Sequence, residues 1–150
     1  GGDILERLLD RATLALAAEM LGGAEEVFAR TLTHLKTRRQ FGVPIGSFQA
    51  LQHRAAWLYC ELELLRSIVR EGLVAADEER ADVPLYACAA KARASDVFLQ
   101  CSGEAIQMHG GIGVTDELDI GLYYKRARVA AMLLGDAAWQ RDRFAQLSGY

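Results

Sequence analysis

The chain has 150 residues, 51% of them hydrophobic and 25% charged, a balance that fits one globular domain and excludes an intrinsically disordered segment. Its net charge of −3 argues against nucleic acid as the main partner. No apolar run reaches the ~18 residues of a membrane span and no signal peptide is recognisable, so a cytoplasmic protein off the membrane is expected.

The opening Gly1-Gly2 reads as the edge of a domain from a longer protein or as a cloning scar. A first helix is predicted from Ile4 to Lys36. Leu14, Ala17, Leu21, Ala24, Phe28, Thr31 and Leu35 recur at three- and four-residue steps, the period of one buried helical face. A second stripe, Leu9, Ala12, Leu16, Met20 and Val27, lies beside it and predicts cover on more than one side, including self-association. Gly22-Gly23 weakens this helix by about 1 kcal/mol per glycine relative to alanine, so a close neighbouring helix is expected there.

Gly42-Val43-Pro44-Ile45-Gly46 breaks the pattern, with Ser47 as the expected N-cap of a second helix. Phe48, Leu51, Ala55, Leu58, Leu62, Leu65 and Val69 then alternate as the seam of an antiparallel bundle. Asp77 to Asp82 is a charged connection, and Pro84 fits the first turn of a third helix. That helix should bury Tyr86, Ala90, Ala94, Val97, Cys101, Ala105 and Met108. Beyond a glycine-rich loop, Leu118 to Ala131 reads as helix, Gly135 as a break, and Asp136 to Leu147 as the last helix. No strand pattern is visible. The expected fold is all-α: an antiparallel four-helix up-and-down bundle whose last helix is broken, in a single domain over residues 1–150.

The loop Gln107-Met108-His109-Gly110-Gly111-Ile112-Gly113-Val114-Thr115 exceeds what a bundle needs. Its glycines can take positive φ and bring backbone N–H groups close to a ligand, and successive N–H groups form a concave anion site. The bland alternative is a helix C-cap and turn. Cys60, Cys88 and Cys101 are odd in number and lack metal-type spacing, so buried free thiols are expected rather than a disulfide framework or a zinc site. His34, His53 and His109 suggest no metal site or nucleophile pair and read as packing or surface residues, His109 supporting the loop. Asp116, Glu117 and Asp119 read as charges at a helix start. Glu25, Glu26, Glu61 and Glu63 read as solvated faces.

Two blocks carry a family resemblance. One runs from Arg38-Arg39-Gln40-Phe41-Gly42-Val43-Pro44-Ile45-Gly46-Ser47-Phe48-Gln49 to Gln52-His53; the other is the glycine loop followed by Tyr123-Tyr124-Lys125-Arg126-Ala127-Arg128. Together they resemble the C-terminal helical domain of the acyl-CoA dehydrogenase family. The resemblance implies FAD as cofactor, an acyl-CoA substrate, a homo- or hetero-oligomer (dimer or tetramer), and an electron-accepting flavoprotein. It also implies an N-terminal helical domain and a β-domain that this chain does not contain.

Residue by residue, Arg38 matches the arginine that pairs with the FAD pyrophosphate of the neighbouring subunit, a role suited to a planar fork of donors. Phe41 matches an aromatic packed on the dinucleotide and Gln49 a polar contact. Gln107, Met108, His109, Gly110 and Gly111 match the segment that meets the adenosine and pyrophosphate portion. Structural alternatives remain: a dipole-complementing charge for Arg38 and a bundle plug for Phe41.

The reaction the family performs needs a carboxylate base beside the substrate α-carbon, in a dry pocket that raises its pKa. In the usual position, before the glycine that leads into the last helix, this chain has Leu134. In the alternative position on the first helix it has Ala12, followed by Thr13 where the family often has arginine. Neither Leu134 nor Ala12 can take a proton. Asp136 could act as a displaced base; the active site could be incomplete in this chain, as in heteromeric bacterial members that Gly121 to Arg126 and Leu134 to Ala137 resemble; or the chemistry could differ. The expectation is a C-terminal domain that contributes FAD contacts and oligomer interface to α,β-dehydrogenation of an acyl-CoA thioester, the base coming from a partner subunit. By itself the domain is expected to be inactive. The alternative is a non-catalytic helical assembly domain of the same fold.

Overall fold

The computed structural model describes residues 2–150. Helix α1 spans Gly2–Thr37, α2 Gln49–Asp77, α3 Val83–His109, α4 Ile120–Met132 and α5 Ala137–Leu147. The four-helix up-and-down bundle expected from the periodicity is present, with the fourth helix broken into α4 and α5. Helix α3 is central and packs on each of the other four. Its interior positions are small (Ala87, Ala90, Ala94 and Ala105 are buried), so neighbouring helices approach closely. Among the described residues no helix is long and apolar enough to cross a membrane.

Sequence periodicity places most of the core. Leu14, Ala17, Ala24, Phe28, Thr31 and Leu35 of α1 are buried, and so are Leu58, Leu62, Leu65 and Val69 of α2. At about 25 cal/mol per Å2 of apolar surface removed from water, each large aliphatic side chain here contributes about 1.5–3 kcal/mol. Gly23 meets the neighbour it was expected to meet: an added Cβ would lie 2.6 Å from the ring of Phe98 on α3, whereas Gly22 faces open space. Pro84 sits in the first turn of α3.

Several expectations are corrected. The break after α1 is a two-stranded antiparallel hairpin, β1 (Arg39–Gln40) and β2 (Val43–Pro44), with Arg39 opposite Pro44 and Gln40 opposite Val43. It is too short for an alternating pattern to show. Ser47 does not cap α2: it ends a 3-10 turn (Ile45–Ser47), its hydroxyl donates to Pro44 O at 2.7 Å, and Phe48 takes the N-cap position. Some of the seam residues are less covered than predicted. Phe48 is exposed, and Leu51, Ala55, Leu21 and Tyr86 are half-buried. In the second stripe of α1, Met20 and Val27 are buried but Leu9 and Ala12 are exposed.

Cys60 is exposed while Cys88 and Cys101 are buried. Nor are the glutamate pairs simply solvated. Glu25 and Glu63 both bind Arg66, tying α1 to α2, and Glu61 meets Arg93 at 2.5 Å, tying α2 to α3.

Candidate functional site

The last turn of α1 and the hairpin lie against the end of α3, and between them is a cleft of about 650 Å3. It joins the two sequence blocks. Arg38, Gln40 and Phe41 line one side and Gln107 to Gly111 the other, with Phe48 and Leu51 from the start of α2. Gln49 is exposed and does not line it. Among the described residues no carboxylate lines the cleft, and Arg38 has no ion-pair partner. A lone guanidinium beside glycine backbone, without a competing acid, is a donor set for an anion.

The hairpin tip is a two-residue turn in which Phe41 (φ 52°) and Gly42 (φ 82°) both take positive φ, the geometry of a type I′ turn. That conformation is ordinary for glycine and costly for phenylalanine. Phe41 nevertheless stands there 91% exposed, with only an edge contact to Phe48 at 6.1 Å. Arg39 steadies the turn by donating to Gly42 O at 2.7 Å. Exposed at the mouth of the cleft, the ring does not plug the bundle end.

The glycine loop differs from the expected run of positive-φ residues. Gly110 alone has positive φ (67°), ending α3, and Gly110 to Val114 form a 3-10 turn. Gly113 is buried where a Cβ would lie 2.7 Å from Ile106 O. His109 Nδ1 donates to Ala105 O at 2.7 Å, so its Nε2 remains the free nitrogen. Its ring stacks on His34 with centroids 4.2 Å apart, a pairing that no sequence pattern predicted. The signal was present: His34 lies one turn before Arg38 and shares its face. Burial first, then the neighbouring His109 and Arg38, holds the His34 pKa below its ordinary value of 6.5.

A second groove, of about 640 Å3, lies along the start of α1 and the α4–α5 turn, and Leu134 lines it. Leu134 has φ 55°, and the turn carrying it is locked. Buried Gln140 donates to Leu134 O at 2.6 Å, and fully buried Lys91 donates to Gly135 O at 3.0 Å and Ala131 O at 3.2 Å. Burial pushes the Lys91 pKa down, with Asp136 opposing. Asp136 itself caps α5, its carboxylate accepting from Trp139 N at 2.8 Å, and it lines a different groove with Ser95 and Arg128.

Ala12 is exposed and does not line the Leu134 groove, whereas Thr13 does, with its hydroxyl turned back to Leu9 O at 2.8 Å. The floor holds Asp10, 2% exposed, paired with Arg143 at 2.6 Å. The Asp10 hydrogen bond, outweighing burial, raises the Arg143 pKa. Asp10 sits four residues before Leu14 on the buried stripe, a position that marks it as an interior charge. Its Oδ1 accepts from the Arg143 guanidinium.

The sequence profile of the family described as "Acyl-CoA dehydrogenase, C-terminal domain" matches residues 1–148. The chain is 44% identical over 127 residues to the acyl-CoA dehydrogenase IpdE2 of Mycobacterium tuberculosis, covering 85% of this chain and 38% of that protein. Among solved structures, "Tcur3481-Tcur3483 steroid ACAD G363A variant" superposes with a TM-score of 0.92 at 35% identity, over 99% of this chain and 41% of the other. Another, "PigA with FAD and proline", gives 0.93 at 26% identity, over 99% and 39%. The chain thus spans about two fifths of the length of these relatives. By the profile match and the shared bundle, the chain belongs to the acyl-CoA dehydrogenase family and corresponds to its C-terminal helical domain.

Proposed function

We propose that this domain supplies half of an FAD site, and an oligomer interface, to a flavin-dependent acyl-CoA dehydrogenase whose catalytic base resides on a partner subunit. The longer protein would carry the family's N-terminal helical and β-domains, which hold much of the CoA and acyl chain. The observation that carries the reading is the pairing of a carboxylate-free cleft around Arg38 with a leucine at the locked Leu134 turn. One site retains the donors for a dinucleotide; in the other, leucine stands where the family usually has its base, the Asp10 carboxylate is paired with Arg143, and Glu6 is the remaining carboxylate of the lining.

The donor set fits FAD. Arg38 offers a planar fork to the pyrophosphate, Gly110 and Gly111 allow close backbone approach, and Phe41 presents a face to a ring system. Bound there, FAD would accept the hydride that leaves the β-carbon as a base removes the α-proton. In this chain Leu134 itself can move no proton, and the Asp10 carboxylate in the same groove is held by Arg143. The steroid relative, Tcur3481-Tcur3483, is named as two proteins together, which supports a two-component enzyme and makes a polycyclic acyl-CoA the first substrate to test. The PigA relative is a structure with FAD and proline, which supports the cofactor.

The test is the flavin content of the full-length protein, purified with its partner, before and after Arg38→Ala. The proposal expects a yellow protein and a loss of bound FAD of at least tenfold in the variant. A domain that serves only assembly would show no flavin, or unchanged flavin with Arg38→Ala.

A further inference from the structure

The cleft around Arg38 contains more positive-charge capacity than one arginine. His34 and His109 stack with centroids 4.2 Å apart and rings inclined by 27°, and both line the cleft with Arg38. Among the described residues these three are its only charged or titratable lining groups: α1 gives His34 and Arg38, and α3 gives His109. The hairpin gives Gln40 and Phe41, α2 gives Phe48 and Leu51, and the glycine turn gives only glycine and Ile112. The nearest acid along α3, Glu104, is engaged by Arg54 at 2.9 Å. In the free protein, then, nothing in the cleft favours a second positive charge, and two stacked imidazoles beside a guanidinium disfavour it.

We propose that the His34–His109 stack makes anion binding in this cleft proton-linked, so that a pyrophosphate arriving at Arg38 draws one proton onto the imidazole pair. The inference rests on the cofactor reading above and deepens it, since it states how the same site responds to pH. The physical cause is a reversal of local field. With the cleft empty, burial, the neighbouring ring and Arg38 all oppose protonation of His34; an anion supplies the countercharge that favours it.

Geometry gives the proton a use. His109 Nδ1–H is committed to Ala105 O, which holds its ring against His34, and a proton taken up by His34 makes both nitrogens of that ring donors. The stack can thus add a charge-assisted hydrogen bond that neutral imidazoles lack. Binding should weaken as pH rises from the free-state to the bound-state pKa of His34, by up to about tenfold per pH unit for one linked proton. Below the free-state pKa of His34 the dependence should vanish, because the proton is already in place.

The experiment is calorimetric titration of the flavin-stripped full-length protein with FAD, and separately with inorganic pyrophosphate, from about pH 5 to about pH 8, the range in which a histidine titrates. Two buffers of different ionisation enthalpy report the protons exchanged. The expected result is uptake approaching one proton near neutral pH. His34→Phe, which keeps an aromatic ring on His109 but cannot titrate, should reduce that uptake at least twofold and flatten the pH profile while pyrophosphate still binds through Arg38.

FAD binding with no proton uptake, or full uptake in His34→Phe, would overturn the inference and leave the cofactor reading standing. Pyrophosphate binding with an uptake that His34→Phe reduces, but no binding of FAD, would support the inference and overturn the cofactor reading. Binding of neither probe would overturn both.

Discussion

Replacing Phe41 by asparagine separates what the hairpin tip does for the fold from what it does for a ligand. Phe41 adopts φ 52° in a two-residue turn, where a bulky L-residue costs about 1–2 kcal/mol and asparagine before glycine is favoured. The phenyl ring is 91% exposed, so its removal forfeits little burial. The edge contact to Phe48 accounts for about 0.5 kcal/mol at such an exposed site. The net expectation for the 150-residue domain is a gain of about 0.5–1 kcal/mol in urea unfolding, seen as a higher midpoint with an unchanged slope. In the full-length protein the same change should weaken FAD by about tenfold, equivalent to about 1.4 kcal/mol, measured by fluorescence titration of the flavin-stripped protein. A destabilised domain would refute the strain argument, and unchanged FAD affinity would refute the stacking role.

The adjacent glycines of α1 give a paired contrast. Gly22→Ala, with nothing within 4 Å of the new methyl, should stabilise by about 1 kcal/mol. Gly23→Ala drives a methyl to within 2.6 Å of the Phe98 ring and should cost about 1 kcal/mol net, as overpacking outweighs helix propensity; equal melting shifts would contradict this packing. Asp10→Ala leaves the partly covered Arg143 charge unmatched and should cost about 2–3 kcal/mol in urea unfolding, a loss below about 1 kcal/mol counting against the buried pair. The depressed His34 pKa means that folding sheds a proton, so the unfolded chain binds more. Stability of the free domain should therefore rise with pH between the depressed value and 6.5 and fall as pH drops through that window, and His34→Phe should flatten the profile.

Long-range periodicity made the bundle legible. Stripes such as Leu14-Ala17-Ala24 and Leu58-Leu62-Leu65 reflect burial over many turns, and the structure buries them. What the sequence hid is short or made across elements. A hairpin with two residues per strand has no period to detect, and Ser47 looks like a cap until its hydroxyl is seen turned back to Pro44. Most cleft residues were legible from the two motif blocks, because Arg38 to Phe48 and Gln107 to Ile112 meet at the end of α3, but His34 and Leu51 lie outside both blocks and Gln49 does not line the cleft. The His34–His109 stack, the Asp10–Arg143 pair and the Lys91 contacts to the α4–α5 turn join residues 75, 133 and 44 positions apart. Each has only a local hint, a polar residue on a buried face, and its partner is set by how the helices pack. Leu134 was legible as a leucine before the glycine that leads into the last helix, but the lock that Gln140 and Lys91 place on its turn was not.

The measurement that reaches the central claim most directly is anaerobic flavin bleaching on addition of an acyl-CoA. It should be recorded for the full-length protein alone and for the same protein reconstituted with its partner subunit. A base supplied in trans predicts bleaching only in the reconstituted enzyme, with Leu134→Ala in this chain leaving the bleaching rate within about twofold, a barrier change of about 0.4 kcal/mol. Rapid bleaching by the lone protein would contradict it, placing a working base within that same protein rather than on a partner.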